Sequence, residues 1–189
     1  MSDWKLYMVL VGANVPGRYI EQHDIFFGIG QSIEEMIPAI REFWPVSTSL
    51  HIDGWREVNF VDGHKITVIE KNESQTLPAS SSHLFFLNLG GYKPDEFEEF
   101  HYKLLCVGPD KNAASLKAKQ TAFFKHTGFK GATSHIDERF GIDVDDIFIV
   151  KDILSPDLKE RFSISIIPGS DEEDEFHLGY IRFPAQNKV

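Results

Sequence analysis

The sequence lacks the features that membrane proteins, nucleic-acid-binding proteins and disulfide-rich proteins need. It has one cysteine in 189 residues, so no disulfide can form within the chain. No apolar run approaches the roughly 18 residues that span a membrane, and the first residues show no cleavage site. The 19 basic residues are scattered and the net charge is −10, which disfavours phosphate-bearing partners. These absences predict a cytoplasmic protein with neither nucleic acid nor membrane as partner.

The apolar content is sufficient for a compact core. Hydrophobic residues make up 42% of the chain and aromatic residues 13%, with 16 phenylalanines against three methionines. That composition is typical of a globular protein with rigid, shape-specific packing. The single cysteine, Cys106, lies in an apolar run and is predicted to be a buried, inert thiol.

The chain matches itself at an offset of 78 residues. Between positions 6 and 30 this offset gives six identities in 25 positions, and apolar residues also face apolar residues. The pairs are Leu6/Leu84, Gly12/Gly90, Pro16/Pro94, Glu21/Glu99, His23/His101 and Gly30/Gly108. His51-Ile52-Asp53 recurs as His135-Ile136-Asp137 at an offset of 84, and Val61-Asp62 pairs loosely with residues 144–145. The pattern predicts an internal duplication.

Each copy is predicted to have the order strand, strand, helix, strand, strand. In the first copy, strands 5–12 and 22–28 precede an amphipathic helix after Ser32 that ends at Pro45. Strands 55–61 and 64–70 then flank Asp62-Gly63, which suits a type I′ turn. The second copy repeats this order, with its helix at residues 112–127. The predicted fold class is therefore α+β, with two pseudo-symmetric ββαββ units that resemble β-grasp rolls in element order and share a core.

The boundary between the copies is predicted at a polar connector. Residues 1–74 form the first unit, residues 75–82 the linker, and residues 83–189 the second unit. Segments 161–167 and 176–183 alternate apolar and polar residues, which predicts a C-terminal hairpin of the second unit. The acidic run between them is interpreted as a solvated loop.

A polar loop between the first two strands holds the densest group of reactive side chains. Residues 17–27, Gly-Arg-Tyr-Ile-Glu-Gln-His-Asp-Ile-Phe-Phe, resemble the signature of a bacterial family catalogued as domain of unknown function 1543, whose members carry one or two copies. The resemblance implies no activity, substrate or catalytic residue. The second copy departs from it, with Glu96 in place of Arg18 and Tyr102 in place of Asp24.

Two pairs of polar residues recur in both copies and indicate candidate sites. Residues two apart on a strand share a face, so Glu21, His23, His51 and Asp53 form a candidate metal site. Arg18, Glu21, His23 and Asp24 are the candidate catalytic residues. Alternatively, each histidine is a structural donor bonded to its neighbouring carboxylate.

The same loop offers a candidate anion site. Asn14, Gly17 and Arg18 can hold a carboxylate or phosphate, because a guanidinium binds such groups and glycine lets backbone amides approach. The alternative is an ion pair of Arg18 with Glu21 or Asp24. Gly28-Ile29-Gly30 is interpreted as a plain turn, since the rest of a dinucleotide-binding motif is missing.

Two functions remain open. The first is a binding module without catalysis, which takes a small anionic ligand or a protein partner and can pair strand edges as a homodimer. The second is a small-molecule hydrolase or metal-assisted lyase that uses Arg18, Glu21, His23 and Asp24. No nucleophile motif and no cofactor signature is evident in the sequence.

Overall fold

A computed structural model describes residues 4–45, 49–71, 81–92, 95, 97–126 and 143–183. Contacts divide the chain into two compact units, residues 1–76 with 154–189, and residues 77–153. The described strands are β1 (Lys5–Ala13), β2 (Gln22–Gly30), β3 (His51–Glu57), β4 (Phe60–Val61), β5 (His64–Glu70), β6 (His83–Tyr92), β7 (Glu99–Gly108), β8 (Asp143–Ile149), β9 (Phe162–Pro168) and β10 (His177–Arg182). The helices are α1 (Ile37–Phe43), α2 (Lys111–His126), α3 (Val150–Ile153) and α4 (Pro156–Arg161), with a 3₁₀ turn at Glu34–Met36. All pairings among these described strands are antiparallel, so the predicted α+β class is confirmed.

The first unit is built on a four-stranded sheet in the order β10-β3-β1-β2. One face carries the core, because alternate residues of β1 point to the same side and are apolar. The 3₁₀ turn and α1 cover this face with side chains four positions apart, on one side of the helix. The buried cluster consists of Tyr7, Val9, Val11, Phe26, Met36, Ile40 and Ile52. Each of these large side chains contributes about 1.5–3 kcal/mol by leaving water.

The register of this sheet places polar residues on its other face. Gly12 of β1 is paired with His23 on β2 and with His51 on β3. The pairing of β3 shifts between Leu10 and Val11, which leaves Asp53 as the extra residue of a bulge. Bulges redirect side chains, and Asp53 here joins His51. The sheet therefore brings residues from two separate motifs to one place.

A second sheet of the first unit has the order β4-β5-β9. Asp62 and Gly63 between β4 and β5 both have positive φ, 53° and 75°, as the predicted type I′ turn requires. The predicted C-terminal hairpin is wrong, because β9 pairs with β5 whereas β10 pairs with β3. Both strands complete sheets of the first unit. Alternation along a segment predicts a strand but does not identify its partner.

The second unit contains a three-stranded sheet in the order β7-β6-β8. Helix α2 matches the predicted 112–127 helix to within one residue. The core of the second unit comprises Phe85, Leu87, Leu89, Cys106, Ala114 and Ala118, so the predicted burial of Cys106 is confirmed. In the described residues the element order is β, β, α, β, α, which differs from the predicted ββαββ. The predicted linker 75–82 lies largely outside the described residues.

At the positions of the sequence repeat, the strands within each unit are paired in the same way. Gly12 pairs with His23 in the first unit, and Gly90 pairs with His101 in the second. The register of the third strand shifts between Leu10 and Val11 in one unit and between Asn88 and Leu89 in the other. The predicted equivalence of His51–Asp53 with residues 135–137 needs correction, because Gly12 pairs with His51 whereas Gly90 pairs with Asp143. Residues 135–137 themselves lie outside the described residues.

Gly28-Ile29-Gly30 is not a turn, contrary to the expectation from sequence. These residues are the last part of strand β2. A Cβ atom on Gly28 would lie 2.6 Å from the sulfur of Met36. The absence of a side chain therefore lets the 3₁₀ turn pack close against the strand.

Candidate functional site

Four polar side chains of the first unit meet above Gly12 and form what we call the four-residue cluster: Glu21, His23, His51 and Asp53. The Nε2 atom of His51 lies 3.2 Å from Oδ1 of Asp53 and 3.5 Å from Oε1 of Glu21. The Nε2 atom of His23 lies 3.3 Å from Oδ2 of Asp53 and 3.8 Å from Oε2 of Glu21. Each imidazole thus contacts both carboxylates.

His51 is oriented by a backbone contact. Its Nδ1 atom lies 2.8 Å from the carbonyl oxygen of Ser49. A carbonyl oxygen only accepts hydrogen bonds, so we assign the proton of the neutral imidazole to Nδ1. The Nε2 atom then carries a lone pair. His51 is only 1% exposed, and its Nε2 is buried without a hydrogen-bond partner in the described residues.

Gly12 creates the space that the cluster occupies. A Cβ atom at this position would overlap both Nε2 of His51 and Oδ2 of Asp53. Oδ2 of Asp53 is, like Nε2 of His51, a buried atom without a hydrogen-bond partner in the described residues. The two unsatisfied atoms therefore converge on the place where every other residue type would put a side chain.

The inner and outer parts of the cluster differ in exposure. His51 is enclosed, and its ring packs 4.2 Å from the ring of Tyr180 on β10. The guanidinium of Arg182 lies 5.7 Å from the Tyr180 ring. His23 and Glu21 are about 40% exposed, with side-chain values of 42% and 38%. The cluster is therefore rigid on the His51 side and open to solvent on the His23 side.

The four side chains as they stand are not an assembled metal centre. In the described residues, no group of three or more His, Cys, Asp or Glu side chains could hold a metal ion in its present arrangement. The widest of the four contacts, 3.8 Å, joins His23 and Glu21, the two exposed members. Any bound ion would therefore require an adjustment of these two side chains.

The candidate catalytic residues do not all converge. Glu21 and His23 belong to the four-residue cluster, but Asp24 follows His23 directly on β2 and so points to the opposite face. Its carboxylate accepts a hydrogen bond from the backbone N–H of Ile25. Arg18 is exposed, and in the described residues it makes no ion pair with Glu21 or Asp24. The structure does not join Arg18 and Asp24 to the two histidines.

The candidate anion-binding residues lie in the loop before β2. The amide of Asn14 donates to the hydroxyl of Ser49 at 2.7 Å. Gly17 has φ of 80° and supports the turn in which the N–H of Arg18 donates to the carbonyl of Val15. Asn14 thus positions Ser49, whose carbonyl in turn orients His51.

A family model described as Domain of Unknown Function (DUF1543) matches residues 18–68. Residues 18–68 are therefore similar to this family, and we call them the DUF1543 segment. The resemblance that residues 17–27 carry is thereby confirmed over a longer stretch. All members of the four-residue cluster lie within the DUF1543 segment, whereas Gly12 and Tyr180 lie outside it.

Similarity over nearly the whole chain comes from a solved structure. The crystal structure of a protein Il1583 from Idiomarina loihiensis is 25% identical, with a TM-score of 0.62. The match covers 96% of this chain and 98% of that one, and so extends well beyond the DUF1543 segment. No curated protein matched the chain. In the described residues, no helix has the length and apolarity to cross a membrane.

Sequence reasoning missed three residues that shape the cluster around the DUF1543 segment. Gly12 was visible as a glycine repeated at position 90, but its role depends on the strands beside it. Ser49 contributes a backbone carbonyl, which side-chain chemistry does not reveal. Tyr180 is far away along the chain and reaches His51 only because β10 pairs with β3. Only Gly12 left a signal in the sequence.

Proposed function

We propose that the first unit is a ligand-binding module without catalysis, and that the four-residue cluster binds a cationic ligand. One observation carries this proposal: the buried Nε2 lone pair of His51 faces carboxylate oxygens and has no donor. A buried polar atom without a partner costs roughly 1–3 kcal/mol. A cation at this point would satisfy Nε2 and both carboxylates together.

The charge of the cluster supports a cation over an anion. Two carboxylates face two imidazoles, and no lysine or arginine in the described residues forms an ion pair with Glu21 or Asp53. The sequence favoured a small anionic ligand near Arg18. The cluster instead presents two carboxylates, so we propose that its ligand is a cation.

A thermal-shift screen tests this proposal. The full chain is titrated with divalent metal ions and with small ammonium and guanidinium compounds, because a ligand of the native state raises the melting temperature. We expect a cation to raise it in the wild type but not in Glu21→Gln, which removes one charge from an exposed side chain, nor in Gly12→Ala, which fills the cluster. Gly108→Ala is the matched control, because its Cβ would meet only ordinary contacts. Equal shifts in all variants, or no shift with any cation, would contradict the proposal.

A hydrolase or metal-assisted lyase is the second candidate. It is favoured by the exposure of His23 and Glu21, which would leave water beside a bound cation. Its residues would be Glu21, His23, His51 and Asp53, because Asp24 lies on the other face of the sheet. Turnover of ester, phosphate or hydroxy-acid substrates by the cation-loaded wild type, lost in His23→Ala, would favour this candidate over the binding module.

We also infer that the two units derive from one duplicated ancestor in a cytoplasmic protein. The support is the shared register around Gly12 and Gly90, together with the shared position of the shift in the third strand. The six identities at an offset of 78 fall on β1, β2 and the loop between them, and on the equivalent parts of the second unit. Under this inference the second unit kept the glycine and the histidine as Gly90 and His101. On its third strand, Asp143 stands where the first unit has His51.

A further inference from the structure

We infer that the ligand of the four-residue cluster is a divalent transition-metal ion of the zinc type, bound by Nε2 of His23 and His51 and by the carboxylates of Glu21 and Asp53. This inference rests on the proposed function and identifies its cation. The inference is carried by the spacing of the ligand atoms, by the two of them that lack a hydrogen-bond partner, by their chemical type and by the contacts that orient His51.

The spacing of the atoms brings the four side chains within reach of one small ion. Nε2 of each histidine meets a different oxygen of each carboxylate, at 3.2 and 3.5 Å for His51 and at 3.3 and 3.8 Å for His23. These separations are close to the roughly 3.3–3.6 Å between ligand atoms that lie about 2.0–2.2 Å from zinc in a tetrahedron. Since both oxygens of each carboxylate take part in these contacts, one oxygen of each would turn towards the ion on binding.

The unsatisfied atoms also point to a shared ion. Nε2 of His51 and Oδ2 of Asp53 are both buried without a hydrogen-bond partner in the described residues. Both lie where a Cβ atom of Gly12 would stand. With the proton of His51 on Nδ1, Nε2 and the carboxylate are both acceptors, so a cation between them would satisfy both.

The chemical type of the ligand atoms further limits which metal ion the cluster would bind. Imidazole nitrogen suits zinc, copper, nickel and iron, whereas calcium and magnesium prefer sites made of oxygen atoms. Two imidazoles and two carboxylates thus favour a transition metal over calcium or magnesium. The two carboxylate charges also neutralise a divalent ion, so the filled site would carry no net charge in a half-buried position.

The contacts around His51 are those of an oriented metal ligand. Metal-binding histidines usually donate their other ring N–H to a carbonyl or carboxylate, which fixes the ring and its tautomer. His51 donates Nδ1–H to Ser49, and its ring packs against Tyr180. Ser49 is in turn held by Asn14. On the solvent side of the cluster, His23 and Glu21 would close the 3.8 Å gap between them on binding the ion.

The test is metal binding to the chelator-stripped full chain, measured by calorimetry with Zn²⁺ and by the visible absorption of Co²⁺, which is intense when the ion is tetrahedral. We expect one Zn²⁺ per chain and a tetrahedral Co²⁺ spectrum. His23→Ala and Glu21→Gln should each weaken Zn²⁺ binding at least about tenfold. Both side chains are exposed, so these variants are expected to fold, and circular dichroism verifies this.

His64→Ala is the matched control. His64 makes the same kind of contact as His51, from Nδ1 to the carbonyl two residues earlier, but no carboxylate in the described residues forms an ion pair with it. Zn²⁺ affinity should be unchanged in this variant. Equal weakening in His64→Ala, or binding of Ca²⁺ as tight as that of Zn²⁺, would overturn the inference.

The same experiments distinguish a failure of this inference from a failure of the proposed function. If an ammonium or guanidinium compound stabilises the protein through Glu21 and Zn²⁺ does not bind, the cluster is a cation site but the metal is wrong. If no cation of either kind acts through the cluster, both proposals fail.

Discussion

Tyr7 combines the largest side chain of the first unit's core with an ionisable group. It is buried on β1 among aliphatic side chains, and its ring lies 5.9 Å from that of Trp55. Burial raises the pKa of Tyr7 from 10.0 to about 12, and the nearby charge of Glu57 adds to the shift. The protein thus keeps this phenol neutral in a pH range in which the unfolded chain loses the proton.

This raised pKa makes stability depend on alkaline pH. The folded state holds the proton more tightly than the unfolded state, so this contribution to stability is intact below pH 10 and is lost as the pH rises towards about 12. We expect the free energy of unfolding of Tyr7→Phe, measured in urea, to fall less steeply across that window than in the wild type. Tyr19→Phe, at a fully exposed position, should follow the wild type. Identical slopes for Tyr7→Phe and the wild type would refute the assignment.

At the scale of elements, one buried ion pair fixes the connection between β9 and β10. Oδ2 of Asp174 lies 3.1 Å from Nη2 of Arg56, and their side chains are 2% and 14% exposed. The carboxylate of Asp174 also accepts the backbone N–H groups of Asn59 and Phe60. Burial raises the pKa of Asp174 and lowers the pKa of Arg56, so desolvation outweighs the attraction between them. The pair therefore positions the connection at a cost in free energy.

A double-mutant cycle in urea tests this balance. We expect Asp174→Ala to destabilise the protein by about 3–5 kcal/mol, because Arg56 is left as a buried, unpaired charge. Arg56→Met should also destabilise it, and the double variant should cost clearly less than the sum of the two. The exposed pair of Arg161 and Glu70 is the control, since Glu70→Ala should change stability by about 0–1 kcal/mol. Strict additivity of Asp174→Ala and Arg56→Met would show that the two charges do not interact.

At the scale of the whole molecule, the chain leaves the first unit after its fifth strand and returns to it at the C-terminal side. Residues 77–153 form the second unit, and residues 154–189 belong with residues 1–76. Strand β9 pairs with the full length of β5, from His64 to Glu70, and β10 pairs with β3. The first unit is therefore complete only when distant parts of the chain combine.

Truncation tests this dependence. A chain that ends at Ile153 lacks β9 and β10 and exposes the edges of β5 and β3, which invites aggregation. We expect it to melt at a lower temperature by circular dichroism and to associate by light scattering. Addition of residues 154–189 as a separate segment should restore the melting temperature. A truncated chain as stable as the full one would contradict the pairing of these strands with the first unit.

Local sequence predicted most of the elements and the residue types of the candidate site. Apolar segments predicted β1, β2 and β5, Asp62-Gly63 predicted the turn before β5, and the helical pattern of residues 112–127 predicted α2. These features depend on neighbours within a few positions. The predicted hairpin of β9 and β10 was wrong because partner choice depends on which sheet edges the rest of the chain leaves free.

The four-residue cluster also depends partly on local sequence and partly on tertiary structure. The sequence by itself predicted that Glu21 shares a side with His23 and His51 with Asp53, because strand residues two apart point the same way. Asp53 in fact reaches His51 as the extra residue of a bulge, which the sequence did not reveal. Only the tertiary structure decided that both pairs meet, since β2 and β3 flank β1 at Gly12, where no side chain separates them. The physical reason is that side-chain direction follows from local backbone geometry, whereas strand order follows from the burial of apolar surface across the whole unit.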